Sequence, residues 1–234
     1  RGWHLRRLSV RAAGEMMEIP ILYEDKDLLV VRKPAGIASQ SDRGTAPDMV
    51  NMLKNQLYVR DGAVPEIFPV HRLDKPVGGL MVYAKTKRAA AGLSAQIRAG
   101  ELFTKKYYAV AEGEFPETVG VRAEAADELV SDARANLTRV VSAGTPGARK
   151  ARLYYTGVWA RGGKTLLDVE LLTGRRHQIR VQLAARGMGL CGDRRYNPQT
   201  AEKELGLYCY AISFAHPVSR KQLSYWDKCP WECH

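Results

Sequence analysis

Cysteine is scarce in this chain: only four occur in its 234 residues, all of them after position 190. They follow no framework spacing, and no signal peptide precedes them, which argues against a disulfide scaffold and for a reducing, cytoplasmic setting. The ending Cys229-Pro-Trp-Glu-Cys233-His234 has the outline of half a zinc site, but no second ligand pair lies upstream, so no bound metal is expected. Long apolar runs are missing too. Nothing approaches the length of a membrane span, and a soluble protein is expected. Acid is the third shortage. Asp and Glu number 25 against 36 Lys and Arg, leaving a net charge of +11 and a pI near 9.6. A surface of that kind attracts phosphate polyanions and makes nucleic acid the first partner to test, although a basic excess alone also fits a protein that binds none.

No internal repeat and no linker rich in Pro, Ser or Gly divides the chain after residue 18. The first residues, RGWHLRRLSVRAAGEMM, carry four arginines and no acid before Glu15. They read as a disordered basic tail over residues 1–17, followed by one catalytic domain over 18–234. Within that domain IPILYEDKDLLVVRKPAG has two apolar runs around a polar turn, a hairpin ended by Pro34 and Gly36. Met49, Val50, Leu53 and Leu57 recur at helical spacing within Thr45 to Tyr58. A strand around Phe68 to Leu73 leads to Asp74, after which Gly78-Gly79 permits a tight reversal. Thr86 is placed to cap a helix running toward Gly100. FTKKYYAVAEG reads as a strand with Lys105, Tyr107 and Ala109 on one face. The stretch from Glu112 to Arg152 reads as short hairpins and loops, and a helix is expected from about His177 to Arg186. Strands in runs with few helices between them predict an α+β fold with a mixed, largely antiparallel sheet, in two lobes around a central cleft.

Two stretches could carry chemistry. In VHRLDKPVGGLMVYAKT, Arg72 and Asp74 share a face if the segment is extended, and a nearby guanidinium favours a charged carboxylate. Such a carboxylate suits nucleophilic or electrostatic work; an ordinary ion pair closing a turn is the competing reading. In LLTGRRHQIRVQLAARGMGLCGDRRY, Arg175 and Arg176 sit where a helix begins, so two cations face its positive end unless an anion offsets them. That points to phosphate or carboxylate binding, against a solvated basic face on a helix packed through Ile179 and Leu183. Tyr107 and Tyr108 on a strand are, taken alone, ordinary core residues.

Together these stretches resemble the RluA-type family of RNA pseudouridine synthases. HRLDKPVGGLMVYAKT is similar to the family's HRLD…GL…AK motif, KKYYAVAEG to its K-x-Y-x-A strand, and LLTGRRHQIRVQLAARGMGLCGDRRY to its TGR-x-HQIR…GD…Y segment. ILYEDKDLLVVRKPAG resembles the opening hairpin and ISFAHPVSRKQLSYW the closing F-x-HP segment. The blocks fall in family order over residues 18 to 228. In three places the chain departs from the pattern: Val77-Gly78 stands where the family usually has Thr-Ser, Arg32 where it has Asn, and Gln182 where it has His. The RNA-binding S4 module that often precedes this domain is not expected in the few residues ahead of Ile19.

The resemblance implies an isomerase that detaches uracil from ribose, turns the base and rejoins it through C5. Asp74 would be the essential carboxylate, stabilising positive charge at the sugar. Arg180 would pair with it, and Tyr107 would stack on the uracil. Arg72 would fill the gap left in the RNA stack by the flipped nucleotide. Arg175, Arg176 and His177 would contact phosphates, with His71 and Ile179 also among the substrate contacts. No cofactor is required, since the isomerisation is redox neutral. The expected partner is ribosomal or transfer RNA, most readily at a stem-loop because loop bases flip more cheaply; DNA and membranes are not expected, and a monomer is the default. The competing functions are a non-catalytic RNA-binding protein and a glycosylase that releases free uracil. Hydrolytic glycosidases use a second carboxylate, which the matched motifs do not supply.

Overall fold

The structure, a computed structural model, describes residues 17–41, 47–100 and 102–231. All but the last residue of the expected basic tail, the expected helix start at Thr45, and the Cys233-His234 ending therefore lie outside the described residues. In chain order the elements are β1 (Ile21–Glu24), β2 (Leu28–Lys33), α1 (Met49–Asp61), β3 (Phe68–Pro69), β4 (Gly78–Ala84), α2 (Lys87–Ala99) and β5 (Thr104–Glu112), then β6 (Arg122–Asp132), β7 (Leu137–Val141), β8 (Arg149–Arg161), β9 (Lys164–Leu171), α3 (Gln178–Ala184), β10 (Leu207–Ala215) and β11 (Gln222–Trp226). This is the α+β class, and most of its strand pairs are antiparallel.

The described residues divide into two compact units, one formed by those up to Phe103 together with those from Tyr208 on, and the other by Thr104–Leu207. In the first unit β1, β2 and β4 pair antiparallel, β3 lies antiparallel to the end of β4, and β10 runs parallel to the start of β4 and antiparallel to β11. Leu28 to Val31 and Leu80 to Ala84 are buried at every position, so β2 and β4 are covered on both faces and read as continuous apolar runs. The helices of this unit end as their sequences dictate. Asp48 caps α1 by accepting from the Asn51 amide, and Thr86 caps α2 by accepting from the Ala89 amide. Gly62 and Gly100 close the two helices in the left-handed region at φ 75° and 76°.

In the second unit β5, β9, β8, β6 and β7 form an antiparallel meander in that spatial order. The segment expected to be short hairpins and loops holds an eleven-residue strand, β6, paired along its length with β8. Its signal is faint because one of its two buried positions is small: Ala125 is fully buried, as is Ala151 of β8, which packs with Leu129 and with Val181 of α3. Small side chains let the helix approach the strands, and they also erase the hydropathy alternation that marks a strand.

Two further expectations are corrected in the first unit. The strand expected over Phe68 to Leu73 stops at Pro69. Beyond it the backbone of Leu73 bonds to a side chain instead of a neighbouring strand. Gly78-Gly79 opens β4 instead of reversing the chain. Gly79 has φ 125°, and a Cβ there would lie 2.2 Å from the Cys209 carbonyl oxygen, so glycine is required by the close approach of β10.

Candidate active site

Asp74 belongs to the first unit, on the irregular loop between β3 and β4. The turn that follows it is closed by the Val77 amide donating to the Asp74 carbonyl at 2.9 Å. Three residues from the β2 end and the segment after it hold this loop. The Ser39 hydroxyl accepts from the Leu73 amide at 3.0 Å and donates to the Leu73 carbonyl at 2.8 Å. The Gly36 amide donates to the Lys75 carbonyl at 2.8 Å. Lys33 is 1% exposed, and its Nζ donates to the carbonyls of Pro34 and Lys75 at 2.9 and 3.2 Å. Residues on both sides of Asp74 are thus tied to the strand end by neutral groups and one ammonium. Burial pushes that ammonium down to about 7, and the charge of Asp74 opposes the shift.

The basic neighbours of Asp74 divide between solvent and core. Arg72 is exposed. His71 is turned inward: its Nε2 accepts from the Val82 amide of β4 at 3.1 Å, and its ring meets the edge of Phe103. It serves the fold directly. The departure at Arg32 also has a local explanation. Its guanidinium makes a bidentate pair with Asp227 at 2.5 and 2.9 Å, and the Tyr208 hydroxyl donates to the same carboxylate at 2.7 Å. Burial raises the Asp227 carboxyl, but the bonds from Arg32 and Tyr208 more than offset it and hold the group below the usual range.

Tyr107 and Arg180 belong to the second unit. Tyr107 is buried on β5, opposite Val169 of β9. Arg180 is 6% exposed and forms a bidentate pair with Asp193, Nε and Nη2 each donating at 2.7 Å. The Asp193 carboxylate also receives the amides of Arg195 and Tyr196 at 3.2 and 3.3 Å, and the Arg180 guanidinium lies 5.2 Å above the Tyr196 ring. A buried guanidinium fixed by a planar fork can present its remaining donors in one direction only.

The turn before α3 is organised by Gln178. Its Oε1 accepts from the Thr173 hydroxyl and the Arg175 amide at 2.8 and 2.9 Å, and its Nε2 donates to the Arg152 carbonyl at 3.0 Å. Arg175 and Arg176 stay exposed, Arg175 donating to the Lys150 carbonyl and Arg176 to the Asn136 side chain. The chain's own acceptors therefore meet part of the cost of cations at this helix start. Ile179 is buried, while Gln182, where the family usually has His, donates to the carbonyls of Ala125 and Ala151 and to Asp127. Lys33, Ser39, Gln178, Asp193 and Tyr196 were not singled out by sequence reasoning. Four of them lie inside the matched blocks, and Ser39 lies just after one.

One other cluster has metal-like spacing, Asp25, Asp27 and His216, with ligand atoms within 4.8 Å of one another. Both oxygens of Asp25 are engaged, by the amides of Asp27 and Leu28, the Tyr23 hydroxyl and His216 Nε2. His216 Nδ1 accepts from the amides of Val218 and Ser219. With both ring nitrogens and both Asp25 oxygens committed, the group works as a clasp between the β1–β2 turn and the β10–β11 turn. Burial works against the Asp25 charge, and these hydrogen bonds more than offset it.

Comparison with known proteins matches these blocks to one family. The description RNA pseudouridylate synthase matches residues 27–185. The "Ribosomal large subunit pseudouridine synthase D" of Zymomonas mobilis is 30% identical over 233 residues, covering 92% of this chain and 71% of that protein. The "Dual-specificity RNA pseudouridine synthase RluA" of Vibrio vulnificus is 33% identical, covering 85% of this chain and 78% of that protein. The solved structure of "Human RNA Pseudouridylate Synthase Domain Containing 4" shares the fold, with a TM-score of 0.72 at 22% identity over 90% of this chain and 88% of that one. The order of the motifs, the fold and the length of the matches converge: the chain belongs to the RNA pseudouridylate synthase family, in its RluA-type branch, isomerases that convert uridine to pseudouridine in RNA.

Proposed function

We propose that this chain isomerises specific uridines of ribosomal or transfer RNA, and that Asp74 is the carboxylate the reaction depends on. The observation that carries this reading is the way the Asp74 loop is built. The backbone on either side of one half-buried acid is tied down by Ser39, Gly36 and Lys33, a degree of fixation that a solvent ion pair does not need. Breaking the bond between uracil N1 and C1′ develops positive charge at the sugar, whether Asp74 attacks C1′ or assists a glycal. A fixed carboxylate stabilises that charge without reorganising. Tyr107 is proposed to stack on the detached base, and Arg180 to act on the same uridine as a fixed guanidinium. Arg72, exposed beside the acid, is proposed to enter the stack the nucleotide leaves, offsetting an unstacking cost of about a few kcal/mol. His71 carries less of the substrate reading than the others because its Nε2 is committed to β4.

Recognition of RNA rests on charge. In the second unit the exposed arginines 134, 139, 175, 176, 194 and 195 surround the β6–β7 turn and the start of α3. Arg195 donates to the carbonyls of Ala135 and Asn136, and Arg176 to the Asn136 side chain, so the two segments form one basic surface. Such a surface suits the phosphates of a folded stem-loop, bound by a monomer.

The test is carbodiimide mapping of pseudouridine in total RNA from cells with and without the gene, complemented with the wild-type sequence or with Asp74→Ala. A ribosomal or transfer RNA site that disappears on deletion and returns only with wild type is expected. Restoration by Asp74→Ala would remove Asp74 from the reaction. Mass spectrometry of the same RNA separates isomerisation, which leaves mass unchanged, from release of uracil by a glycosylase.

A further inference from the structure

The last strand, β11, alternates in burial. Leu223 and Tyr225 turn inward, where Tyr225 meets the rings of Tyr23 and Phe214, and Ile212 and Phe214 of β10 are buried on the same side. The opposite face holds Gln222, Ser224 and Trp226, paired with Ala215, Ser213 and Ala211. Alternation of this kind turns small and polar side chains to solvent, and Trp226 breaks it. It is 71% exposed, more than any other described aromatic residue, and Ala211 opposite offers it one methyl group. The rest of the face is polar and self-satisfied: Gln222 Nε2 donates to Ser213 Oγ at 2.7 Å, and the hydroxyls of Ser213 and Ser224 bond at 2.8 Å.

A single exposed apolar side chain is ordinary on a protein surface. Two further observations give Trp226 a direction. The first is charge. Arg220, Lys221 and Lys228 are exposed along this hairpin, and its one acid, Asp227, is taken up by Arg32 and Tyr208. The second is place. The Asp227 amide donates to the Tyr210 carbonyl, and its carboxylate holds Tyr208, which pairs with Gly78 at the start of β4, and Arg32 near the end of β2. Trp226 therefore stands at the end of the sheet where the Asp74 loop enters β4, within the same compact unit.

We propose that the outward face of β10 and β11 is a stacking platform: the Trp226 indole takes an unpaired RNA base near the uridine drawn to Asp74, and Lys228 takes a phosphate beside it. This rests on the RNA reading above and deepens it by adding a substrate contact. Every base has a π face, so such a platform holds a flanking nucleotide whatever its identity, and it selects single-stranded over paired RNA. A protein partner fits the face less well. Protein interfaces centre on an apolar core, whereas the neighbours of Trp226 on this face are Ala211, Ser213 and Ser224.

The test is binding of the full chain to a short single-stranded oligouridylate and to the same strand in duplex, at several salt concentrations. Trp226→Ala should weaken single-strand binding by about tenfold, the worth of one stacked base, and leave duplex binding within about twofold. Trp226→Tyr should keep most of the affinity and Trp226→Leu should lose it, which separates stacking from apolar contact. Stacking releases no counterion, so Trp226→Ala should keep the salt slope, whereas Lys228→Ala should lower it by about 0.7. The urea midpoint of Trp226→Ala should match wild type, because the ring is exposed. A single-strand loss below about twofold, an equal loss on duplex, or affinity kept by Trp226→Leu would overturn the proposal. So would an altered urea midpoint, which would make the loss one of folding, or a changed oligomeric state in Trp226→Ala, which would make the face a contact between copies of this chain. An unchanged salt slope in Lys228→Ala would remove the phosphate contact. Binding is scored apart from turnover, so a wild-type chain that stacks the strand on Trp226 and forms no pseudouridine overturns the functional reading alone.

Discussion

The loop that carries Asp74 and the segment that carries Arg180 are both tightly fixed, but by different means. The Asp74 loop is pinned through its backbone: a serine hydroxyl, a glycine amide and a lysine ammonium bond to main-chain groups of Leu73 and Lys75. The Arg180 segment is pinned through side chains, a buried ion pair with Asp193, an aromatic ring and the amide group of Gln178. Backbone pinning fixes the acid through its main chain and spreads the fixation over several modest bonds. Side-chain pinning concentrates it in one pair whose loss leaves a charge stranded in the interior. The first region should therefore yield gradually to substitution and to pH, and the second abruptly.

The largest effect is expected at Asp193. Asp193→Ala leaves the Arg180 guanidinium buried without its carboxylate and should cost about 3–5 kcal/mol of stability in urea unfolding, with pseudouridine formation lost in the soluble fraction. A cost below about 1 kcal/mol would erase the contrast between the two regions. Ser39→Ala comes next. It strands the Leu73 amide and carbonyl and should cost about 1–3 kcal/mol, and it should lower kcat more than KM because what it loosens is the carbonyl and amide next to Asp74. The third effect is a slope against pH and not a single loss. Since burial brings Lys33 to about 7 from an ordinary 10.5, the folded chain binds fewer protons than the unfolded chain between those values. This group's contribution to stability is lowest below pH 7 and climbs as pH rises toward 10.5, by up to about 1.4 kcal/mol per pH unit. Lys33→Met should flatten that part of the stability–pH curve, and an unchanged slope would show that Lys33 stays charged throughout.

Legibility followed the same division. Thr86 and Gly100 announce the ends of α2 because caps are local, whereas the helix expected over Thr45 to Tyr58 runs from Met49 to Asp61 between the caps Asp48 and Gly62. β6 was faint because Ala125 carries too little hydropathy to mark alternation. Gly79 read as a turn residue because sequence shows its freedom but not the Cys209 backbone that demands it. Of the residues proposed for the reaction, Asp74, Tyr107 and Arg180 were named through the family motifs. Their supports were not, since Lys33 looks like any lysine until its burial and its two carbonyl partners are seen. Arg32 and Gln182 stood out as departures from the family pattern, and only the structure supplied Asp227 and Asp127 as the partners that accommodate them.

By itself the sequence determined what depends on neighbours in the chain: the helix caps, the apolar runs, the basic excess, and the motif order that marks the family. Only the tertiary structure decided which side of each polar residue is used. It spent His71 Nε2 on β4, committed both nitrogens of His216 to a clasp, and brought Asp193 to Arg180, Tyr196 to His177 and Thr138 to Tyr196 across gaps of 13 to 58 residues. The physical reason is that a buried polar atom must find its partner within about 3 Å, and in a sheet that partner is supplied by register and packing, which join residues remote in sequence.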